Sequence, residues 1–339
     1  MKRYALLFFQ YFVFCLLSYG QVQNPPLITP RARVIIDNDF SGDPDGLFQL
    51  AHLALSPSVE IRGVIGSHLR PKDWFDSSDI QAVHAAAKAN ALLSTLHLKT
   101  RIPVFTGSNT AMPNDSTPVQ SEAVDLIIRE TLRTDTKEPL YILCGAGLTE
   151  VASAVLKAPE IAGKFTLIWI GGPEYPDLAP APPRASGIEY NLNIDIAAAK
   201  LIFNRSAVNV WQVPRSTYRQ PLIAYSELIE KIKPYGETGH LLVTALEDLM
   251  LRVKKSEGNL GETYILGDSP LVLLSALQSP YEPDPSSSAY VTKKAPRIDS
   301  EGAYEDNPDG RKIRVYVYLD TRLLFEDFFA KMKMLTRGR

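Results

Sequence analysis

The chain contains only two cysteines, Cys15 and Cys144. Cys15 lies in a hydrophobic N-terminal segment, and Cys144 ends the apolar run of residues 140–143. Two such cysteines form neither a metal-binding nor a redox motif, and removal of the N-terminal segment would leave no partner for a disulfide. We expect Cys144 to be a small core residue.

The chain also lacks an excess of basic residues and a second long apolar segment. Its 36 lysines and arginines and 38 acidic residues give a formal net charge of −2. Binding to nucleic-acid polymers depends on clustered lysine and arginine, so we expect no such partner. No segment beyond the first twenty residues has the length of a membrane span, and no sequence repeats at a fixed period. A membrane anchor is therefore not expected.

The first twenty residues have the pattern of a signal peptide. Lys2 and Arg3 precede the apolar stretch 5–17, which is too short to span a membrane, and small residues at 18–20 offer a cleavage point before Gln21. We expect export to the periplasm or outside the cell. Loss of the two basic residues would lower the formal net charge from −2 to −4.

Strand-like and helix-like segments alternate through residues 21–339, which we expect to form a single domain. The pattern predicts an α/β fold with an open, mostly parallel sheet and helices on both faces. The predicted strands are 34–36, 59–65, 140–143, 165–170, 208–213 and 313–319. The predicted helices are 47–55, 80–98, 122–132, 148–156 and 197–203. Loops are predicted at 107–118, 173–187 and 280–296, and a small helical cap at about 222–256.

Four carboxylates follow the first predicted strand within nine residues: Asp37, Asp39, Asp43 and Asp45. Like charges at the end of a buried strand repel one another and raise one another's pKa. Ca²⁺ or Mg²⁺ relieves that repulsion by binding carboxylate oxygens, and ligands of open α/β sheets collect at the carboxyl ends of the strands. A solvated acidic turn is the alternative. The apolar flanks favour a metal site.

Two later segments carry further polar groups next to apolar runs. Glu189 and Asn191 are two residues apart, so on extended backbone they would present an acceptor and an amide to the same ligand. Asp268 lies between the apolar residues 264–266 and Pro270. By itself Asp268 would be interpreted as a helix N-cap, but beside the other segments we expect it to bind a ligand.

Taken together, these motifs resemble the nucleoside hydrolase family of the inosine–uridine-preferring type. The resemblance runs from about residue 32 to 275, with four motifs in the family's order. The motifs are the strand with Asp37-x-Asp39, the turn Gly171-Gly172, the segment Glu189-x-Asn191 to Asp195-x-x-Ala198-Ala199, and Asp268-x-Pro270-Leu271. The chain would be a divergent, exported member.

The resemblance implies a chemistry and a set of residues that perform it. A Ca²⁺ ion would be held by Asp39, Asp45, Asp268 and the backbone carbonyl of Gly145. The cation would lower the pKa of an attacking water, whose proton Asp39 would accept. Glu189 and Asn191 would bind ribose hydroxyls. The reaction would hydrolyse the N-glycosidic bond of a ribonucleoside or related N-riboside, giving ribose and the free base.

The acidic motif departs from the family pattern Asp-x-Asp-x-Gly-x-Asp-Asp. Between Asp39 and Asp45 the chain has an extra residue and Pro44, so either Asp43 or Asp45 could bind the metal. We assign the metal to Asp45, because the next residues continue into the helix as they do in the family. Asp43 would then either bind the ribose hydroxyls or lie at the edge of the metal site.

The residues that would recognise the base differ from the family pattern even more than the acidic motif does. Gly267 stands where the family commonly has a histidine that helps to protonate the leaving base, and Pro183 and Ser67 replace two usual asparagines. His68, beside Ser67, is a candidate for substrate contact. Without the acid, the enzyme should prefer ribosides whose leaving group departs unprotonated, and Gly267→His should raise cleavage of inosine.

Two other functions are compatible with parts of the sequence. A haloacid-dehalogenase-type phosphatase would use Asp37 as the nucleophile and Gly267-Asp268 as its late acidic motif, but it would leave Glu189 and Asn191 without a role. A non-catalytic riboside-binding protein that keeps the metal is the other alternative. The oligomeric state stays open, and a homo-oligomer is possible.

Overall fold

The structure, a computed structural model, describes residues 27–183, 185, 187–278 and 288–337. The predicted signal peptide, residues 1–20, lies outside the described residues. Within these ranges, no helix combines the length and apolar character that crossing a membrane requires.

Twelve strands and eleven α-helices are assigned within the described residues. The strands are β1 (Arg33–Asn38), β2 (Glu60–Gly66), β3 (Val104–Thr106), β4 (Leu140–Cys144), β5 (Thr166–Ile170), β6 (Asn209–Val213), β7 (Leu222–Ala224), β8 (Thr263–Ile265), β9 (Ser288–Lys294), β10 (Arg297–Ile298), β11 (Tyr304–Glu305) and β12 (Lys312–Leu319). The helices are α1 (Asp45–Ala54), α2 (Gln81–Thr95), α3 (Glu122–Thr131), α4 (Thr149–Lys157), α5 (Tyr190–Ile194), α6 (Ile196–Lys200), α7 (Arg215–Tyr218), α8 (Tyr225–Lys231), α9 (Gly236–Lys255), α10 (Pro270–Ser275) and α11 (Thr321–Arg337).

The central sheet has eight strands in the order β3-β2-β1-β4-β5-β6-β12-β9. Every neighbouring pair is parallel except β12 and β9. From β1 the chain adds strands first on one side, through β2 and β3, and then on the other, from β4 onwards. The strand order therefore reverses between β1 and β4, where the loops leaving the two strands diverge and open a crevice.

Side chains of β1 alternate between two hydrophobic cores, one on each face of the sheet. Val34 and Ile36 belong to the core that includes residues of α1, α2 and α9, whereas Ile35 belongs to the core that includes residues of α3 and α4. A strand covered on both faces is apolar at consecutive positions, as this one is. The predicted α/β fold, with a mostly parallel sheet and helices on both faces, is confirmed.

The structure corrects three of the predicted segments. Residues 288–294 of the predicted loop 280–296 form the edge strand β9, while 279–287 lie outside the described residues. The predicted cap begins with a strand, β7, which pairs with β8 before α8 and α9 follow. The predicted helix 197–203 is α6 followed by a π-helical turn, Leu201–Arg205. An edge strand is half exposed and a three-residue strand is short, so neither has the apolar run that marks a buried strand.

Gly66 brings the end of β2 against the backbone of α2, and we expect Gly66→Ala to destabilise the protein. A Cβ at this position would lie 2.3 Å from the backbone nitrogen of Ala86. Helix α2 would have to shift to relieve this clash. The shift should lower the free energy of unfolding by about 1–3 kcal/mol. Denaturant unfolding measures the change. The matched control is Gly163→Ala, whose Cβ would meet nothing within 4 Å. Equal stability of the two variants would contradict this packing argument.

Candidate active site

The crevice between β1 and β4 collects polar residues from distant parts of the chain. Asp39 follows β1, Asp45 opens α1, Gly145 follows β4, and Asp268 comes just before α10. All four line one cavity of about 500 Å³. The predicted metal ligands are thus brought to one place, at the carboxyl edge of the sheet.

Asn38 links the strand end to the late aspartate. Its Nδ2 donates to Asp268 Oδ2 at 2.9 Å, and the backbone N–H of Asp268 donates to Asp45 Oδ2 at 3.1 Å. Gly46 and Gly145 leave room for this arrangement. A Cβ at Gly145 would lie 2.6 Å from both Asn38 Nδ2 and Asp268 Oδ1, and a Cβ at Gly46 would lie 2.9 Å from Asn38 Nδ2. Asp268 is therefore held within the site; it is not the N-cap of α10, whose N-cap residue is Ser269.

The three carboxylates are buried without a basic partner. Asp39, Asp45 and Asp268 are 6%, 8% and 3% exposed, and none belongs to an ion pair among the described residues. Burial and then the charge of Asp268 raise the pKa of Asp39 and of Asp45 well above the usual range. Burial raises the pKa of Asp268 to about 7. Buried charges are costly unless they are paired or bind a metal.

These carboxylates share the cavity but do not converge on a point. In the part of the chain that the structure describes, no three His, Cys, Asp or Glu side chains form a ready-made metal cluster. Any cation held here must draw oxygens from different sides of the cavity, the backbone carbonyl of Gly145 among them.

Glu189 and Asn191 also line the cavity, but not as a pair on extended backbone. Glu189 is the N-cap of the short helix α5, and Asn191 lies in its first turn. Glu189 Oε2 accepts from the N–H groups of Gly172 at 2.7 Å and Leu192 at 3.0 Å, and Oε1 accepts from the Tyr218 hydroxyl at 2.8 Å. The Gly171-Gly172 turn therefore holds Glu189 in place.

The amide of Asn191 connects this side of the cavity to the predicted metal side. Its Nδ2 donates to the carbonyl oxygens of Ile170 at 2.8 Å and Gly145 at 3.2 Å. A ligand that contacts Asn191 would therefore lie next to the carbonyl of Gly145.

Asp43 and Asp45 both line the cavity, but they have different partners. Asp45 accepts from the backbone of Asp268, whereas Asp43 Oδ2 accepts a hydrogen bond from the hydroxyl of Tyr264. Asp45 is thereby linked to Asp268, and Asp43 stands on the wall of the cavity beside the β7–β8 hairpin. The charge of Asp43 nevertheless raises the pKa of Asp39, Asp45 and Asp268. The assignment of Asp45, rather than Asp43, to the metal stays a prediction.

The interpretation of His68 as a substrate contact requires correction. His68 is 1% exposed and is absent from the cavity lining. Its Nδ1 lies 2.8 Å from the carbonyl of Leu69 and its Nε2 3.0 Å from Thr149 Oγ1, which donates to Asp195. The strand-end position was correctly predicted, but the side chain turns into the interior, where the Leu69 carbonyl and the Thr149 hydroxyl are its hydrogen-bond partners.

Asp37 is likewise unavailable as a nucleophile. It is fully buried and does not line the cavity, and Ser67 Oγ donates to its Oδ1. Burial raises the pKa of Asp37 to about 7. The phosphatase alternative required this side chain to reach substrate.

Several aromatic residues of the cavity were not among the predicted site residues: Phe75, Tyr190, Tyr218 and Tyr264. Tyr190 had a local signal, since it lies between Glu189 and Asn191. Tyr218 and Tyr264 come from elements far away in sequence, and only the fold brings them to Glu189 and Asp43.

Comparison with known proteins identifies the family. The family described as "Inosine-uridine preferring nucleoside hydrolase" matches residues 34–323, and the chain belongs to it. It is a hydrolase of N-glycosidic bonds, which excludes the phosphatase alternative. No curated protein sequence matches the chain.

Solved structures of nucleoside hydrolases have the same fold. A plant nucleoside hydrolase superposes with a TM-score of 0.66 at 18% identity, covering 89% of this chain and 99% of its own. The purine-preferring ribonucleoside hydrolase from Gardnerella vaginalis gives 0.68 at 19% identity, with 91% and 100% covered. The inosine-uridine preferring nucleoside hydrolase from Bacillus anthracis gives 0.61 at 17% identity, with 91% and 100% covered.

The structure bears on the expectation that Gly267→His would supply the missing acid, because a new side chain would press on the Asp45 carboxylate. A Cβ at Gly267 would lie 3.1 Å from Asp45 Oδ2 and 3.6 Å from the Tyr218 ring. The substitution should displace Asp45 and lower kcat/KM about 10-fold to 100-fold for both inosine and nitrophenyl riboside. Gly267→Ala, which adds the Cβ alone, should show part of this loss. Faster inosine cleavage by Gly267→His, with nitrophenyl riboside unchanged, would contradict this account.

Proposed function

We propose that the protein is a Ca²⁺-dependent N-ribohydrolase acting on a ribonucleoside or a related N-riboside. The single observation that carries the proposal is the set of three buried carboxylates, Asp39, Asp45 and Asp268, which share one cavity without a basic partner. We also propose that residues 1–20 direct export and that residues 21–339 act as one domain.

The residues present fit a hard cation. Carboxylate and carbonyl oxygens are the donors that Ca²⁺ prefers, and the site offers no thiol or imidazole. Gly145 provides the close approach that a carbonyl ligand requires, because a side chain there would collide with Asp268.

The chemistry divides between the cation and the residues of the chain. When bound, Ca²⁺ would neutralise the carboxylates and lower the pKa of the attacking water. Asp39 would accept the proton of the attacking water as the oxygen of that water bonds to the anomeric carbon. The bond from that carbon to the base breaks, and its electron pair goes to the base nitrogen. The products are ribose and the free base.

The sugar would be held by Glu189 and Asn191. Three hydrogen bonds fix the Glu189 carboxylate, so it can accept from a ribose hydroxyl without reorganisation. Two backbone carbonyls accept hydrogen bonds from the amide nitrogen of Asn191, so its amide oxygen points away from them. Asp43 is a further candidate for a ribose hydroxyl.

The leaving-group side of the cavity has phenols but no imidazole. No histidine lines the cavity, whereas Tyr190, Tyr218 and Tyr264 do. Burial raises the pKa of all three phenols above the usual range, and neighbouring carboxylates raise it further. Phenols of raised pKa are poor proton donors near neutral pH. The enzyme should therefore favour ribosides whose base departs without protonation, such as nitrophenyl riboside or a cationic N-riboside.

Asp39→Asn should almost abolish hydrolysis of nitrophenyl riboside. Loss of general-base help alone would cost roughly 10²–10⁴-fold in kcat, and loss of a metal ligand adds to that. Steady-state kinetics and Ca²⁺ binding by calorimetry separate the two contributions. Asp79→Asn is the matched control, because Asp79 is an exposed partner of Lys72. Full activity in Asp39→Asn, or in protein freed of metal, would refute the proposal.

Ca²⁺ should stabilise the protein more at alkaline than at acidic pH. In the metal-free protein the pKa of Asp268 is raised from 3.8 to about 7. The folded state therefore keeps a proton that the unfolded chain releases, and stability falls as pH rises from about 4 to 7. Ca²⁺ binds the ionised form, so its contribution is largest above pH 7.

Thermal unfolding in EDTA and in saturating Ca²⁺, at pH 5.5 and 8.5, measures this effect. We expect the Ca²⁺-induced rise in Tm to be larger at pH 8.5 and to be lost in Asp268→Asn. A larger rise at pH 5.5, or none at either pH, would argue against the carboxylate site.

A further inference from the structure

A second cavity adjoins the active site. It has a volume of about 420 Å³ and shares Asp43 and Phe75 with the active-site cavity. We call it the side groove. Residues Ser41–Pro44, Lys88 of α2 and the facing side of α9 form its walls. Two residues are common to both linings, so the two cavities lie side by side.

One wall of the side groove is made by the residues that set this chain apart from the family pattern. Ser41, Gly42, Asp43 and Pro44, which include the extra residue and the proline of the acidic motif, all line it. Asp43 is held toward the β7–β8 hairpin by its hydrogen bond with Tyr264. The departure in sequence therefore coincides with the wall between the two cavities.

Two of the charged groups on the rim of the side groove have evident partners. Arg252 donates to the carbonyls of Trp74 and Phe75, and its guanidinium lies 4.0 Å from the centre of the Trp74 ring. It therefore anchors the loop that carries Phe75. Asp43 accepts from Tyr264, as described.

The remaining charged or titratable groups are Asp248, His240 and Lys88. Asp248 lies one helical turn before Arg252, close enough to offset part of its charge. Lys88 makes a single hydrogen bond, 3.4 Å from Nζ to the carbonyl of Ser41, and none of the lysine ion pairs within the described residues includes it. An ammonium has three donors, so Lys88 has donors left for a ligand. Beside it, the buried hydroxyl of Ser41 has no partner.

We propose that the substrate is an anionic riboside, whose carboxylate or phosphate group binds Lys88 in the side groove while its ribose occupies the active site. The inference rests on the proposed function. It deepens that function by naming the substrate class.

The anionic group could come from either end of the substrate. It could be a substituent on the leaving base or a 5′-phosphate on the ribose. Glu189 and Asn191 line only the active-site cavity and Lys88 lines only the side groove, so the substrate must reach past Asp43 in both cases.

Two matched pairs of compounds distinguish these sources. Nicotinic acid riboside and nicotinamide riboside differ only in a carboxylate against a carboxamide, and both lose a neutral pyridine that needs no proton. Uridine 5′-monophosphate and uridine differ only in the phosphate. For each pair we measure the ratio of kcat/KM, and by calorimetry the ratio of Kd, in the Ca²⁺-loaded wild type.

One of the pairs should favour the anion by about tenfold or more in the wild type, as expected for a charge-assisted hydrogen bond. Lys88→Gln should bring that ratio close to one, and Lys88→Glu should invert it. Lys254→Gln on α9, outside the lining of both cavities, is the matched control and should keep the wild-type ratio. The pair whose anion preference is lost in Lys88→Gln identifies the end of the substrate that carries the anionic group.

Three results would overturn the inference. The first is a ratio near one for both pairs in the wild type. The second is an equal fall in the values for anionic and neutral compounds in Lys88→Gln, which would mean that Lys88 only offsets the charge of the acidic cluster. A preference that survives Lys88→Gln would place the anion elsewhere. If no riboside is hydrolysed, the proposed function fails, and the Kd ratios still decide whether the side groove selects anions.

Discussion

Mutual repulsion among buried carboxylates is the constraint on which this active site depends. Burial raises the pKa of Asp39, Asp45 and Asp268, the charge of Asp268 raises the pKa of Asp39 and Asp45 further, and the charge of Asp43 raises the pKa of all three. A hydrolase that needs Asp39 as a base cannot leave it protonated at neutral pH. The proposed divalent cation would remove that conflict, because it would favour the ionised form of all three groups.

The fold holds these charges together through neutral groups. Asn38 donates to Asp268, and the backbone of Asp268 donates to Asp45. Two glycines, Gly46 and Gly145, give the Asn38 amide the space it occupies. The reversal of strand order between β1 and β4 brings these loops to one crevice. Together these contacts bring the acids into one cavity, although their side chains do not converge on a point.

Much of this was predictable from the sequence, because the signals were local. Asp39 and Asp45 follow an apolar strand directly, and the strand and helix spacing predicted the sheet. Other features depended on tertiary structure. The direction of the His68 side chain was set by Thr149, and the partners of Asp43 and Glu189 come from Tyr264 and Tyr218, far away in sequence. Glu189 and Asn191 line the same cavity as the acids, as predicted, but the extended backbone predicted for them was wrong, since a five-residue helix has no periodic signature.

The crowding around Gly267 shows why a missing catalytic group cannot be treated as a simple vacancy. A Cβ at position 267 would lie 3.1 Å from Asp45 Oδ2, so the carboxylate would have to move, and 3.6 Å from the Tyr218 ring. We propose that the substrate class differs accordingly, and that its anionic group binds in the side groove.

The most direct measurement is a crystal structure of the protein grown with Ca²⁺, with the cation located by its anomalous scattering. The account predicts one cation bound by oxygens of Asp39, Asp45 and Asp268 and by the carbonyl of Gly145, at 2.3–2.6 Å. A cation bound through Asp43 in place of Asp45 would contradict the assignment of the ligands. A cavity without a cation at saturating Ca²⁺ would contradict the central claim.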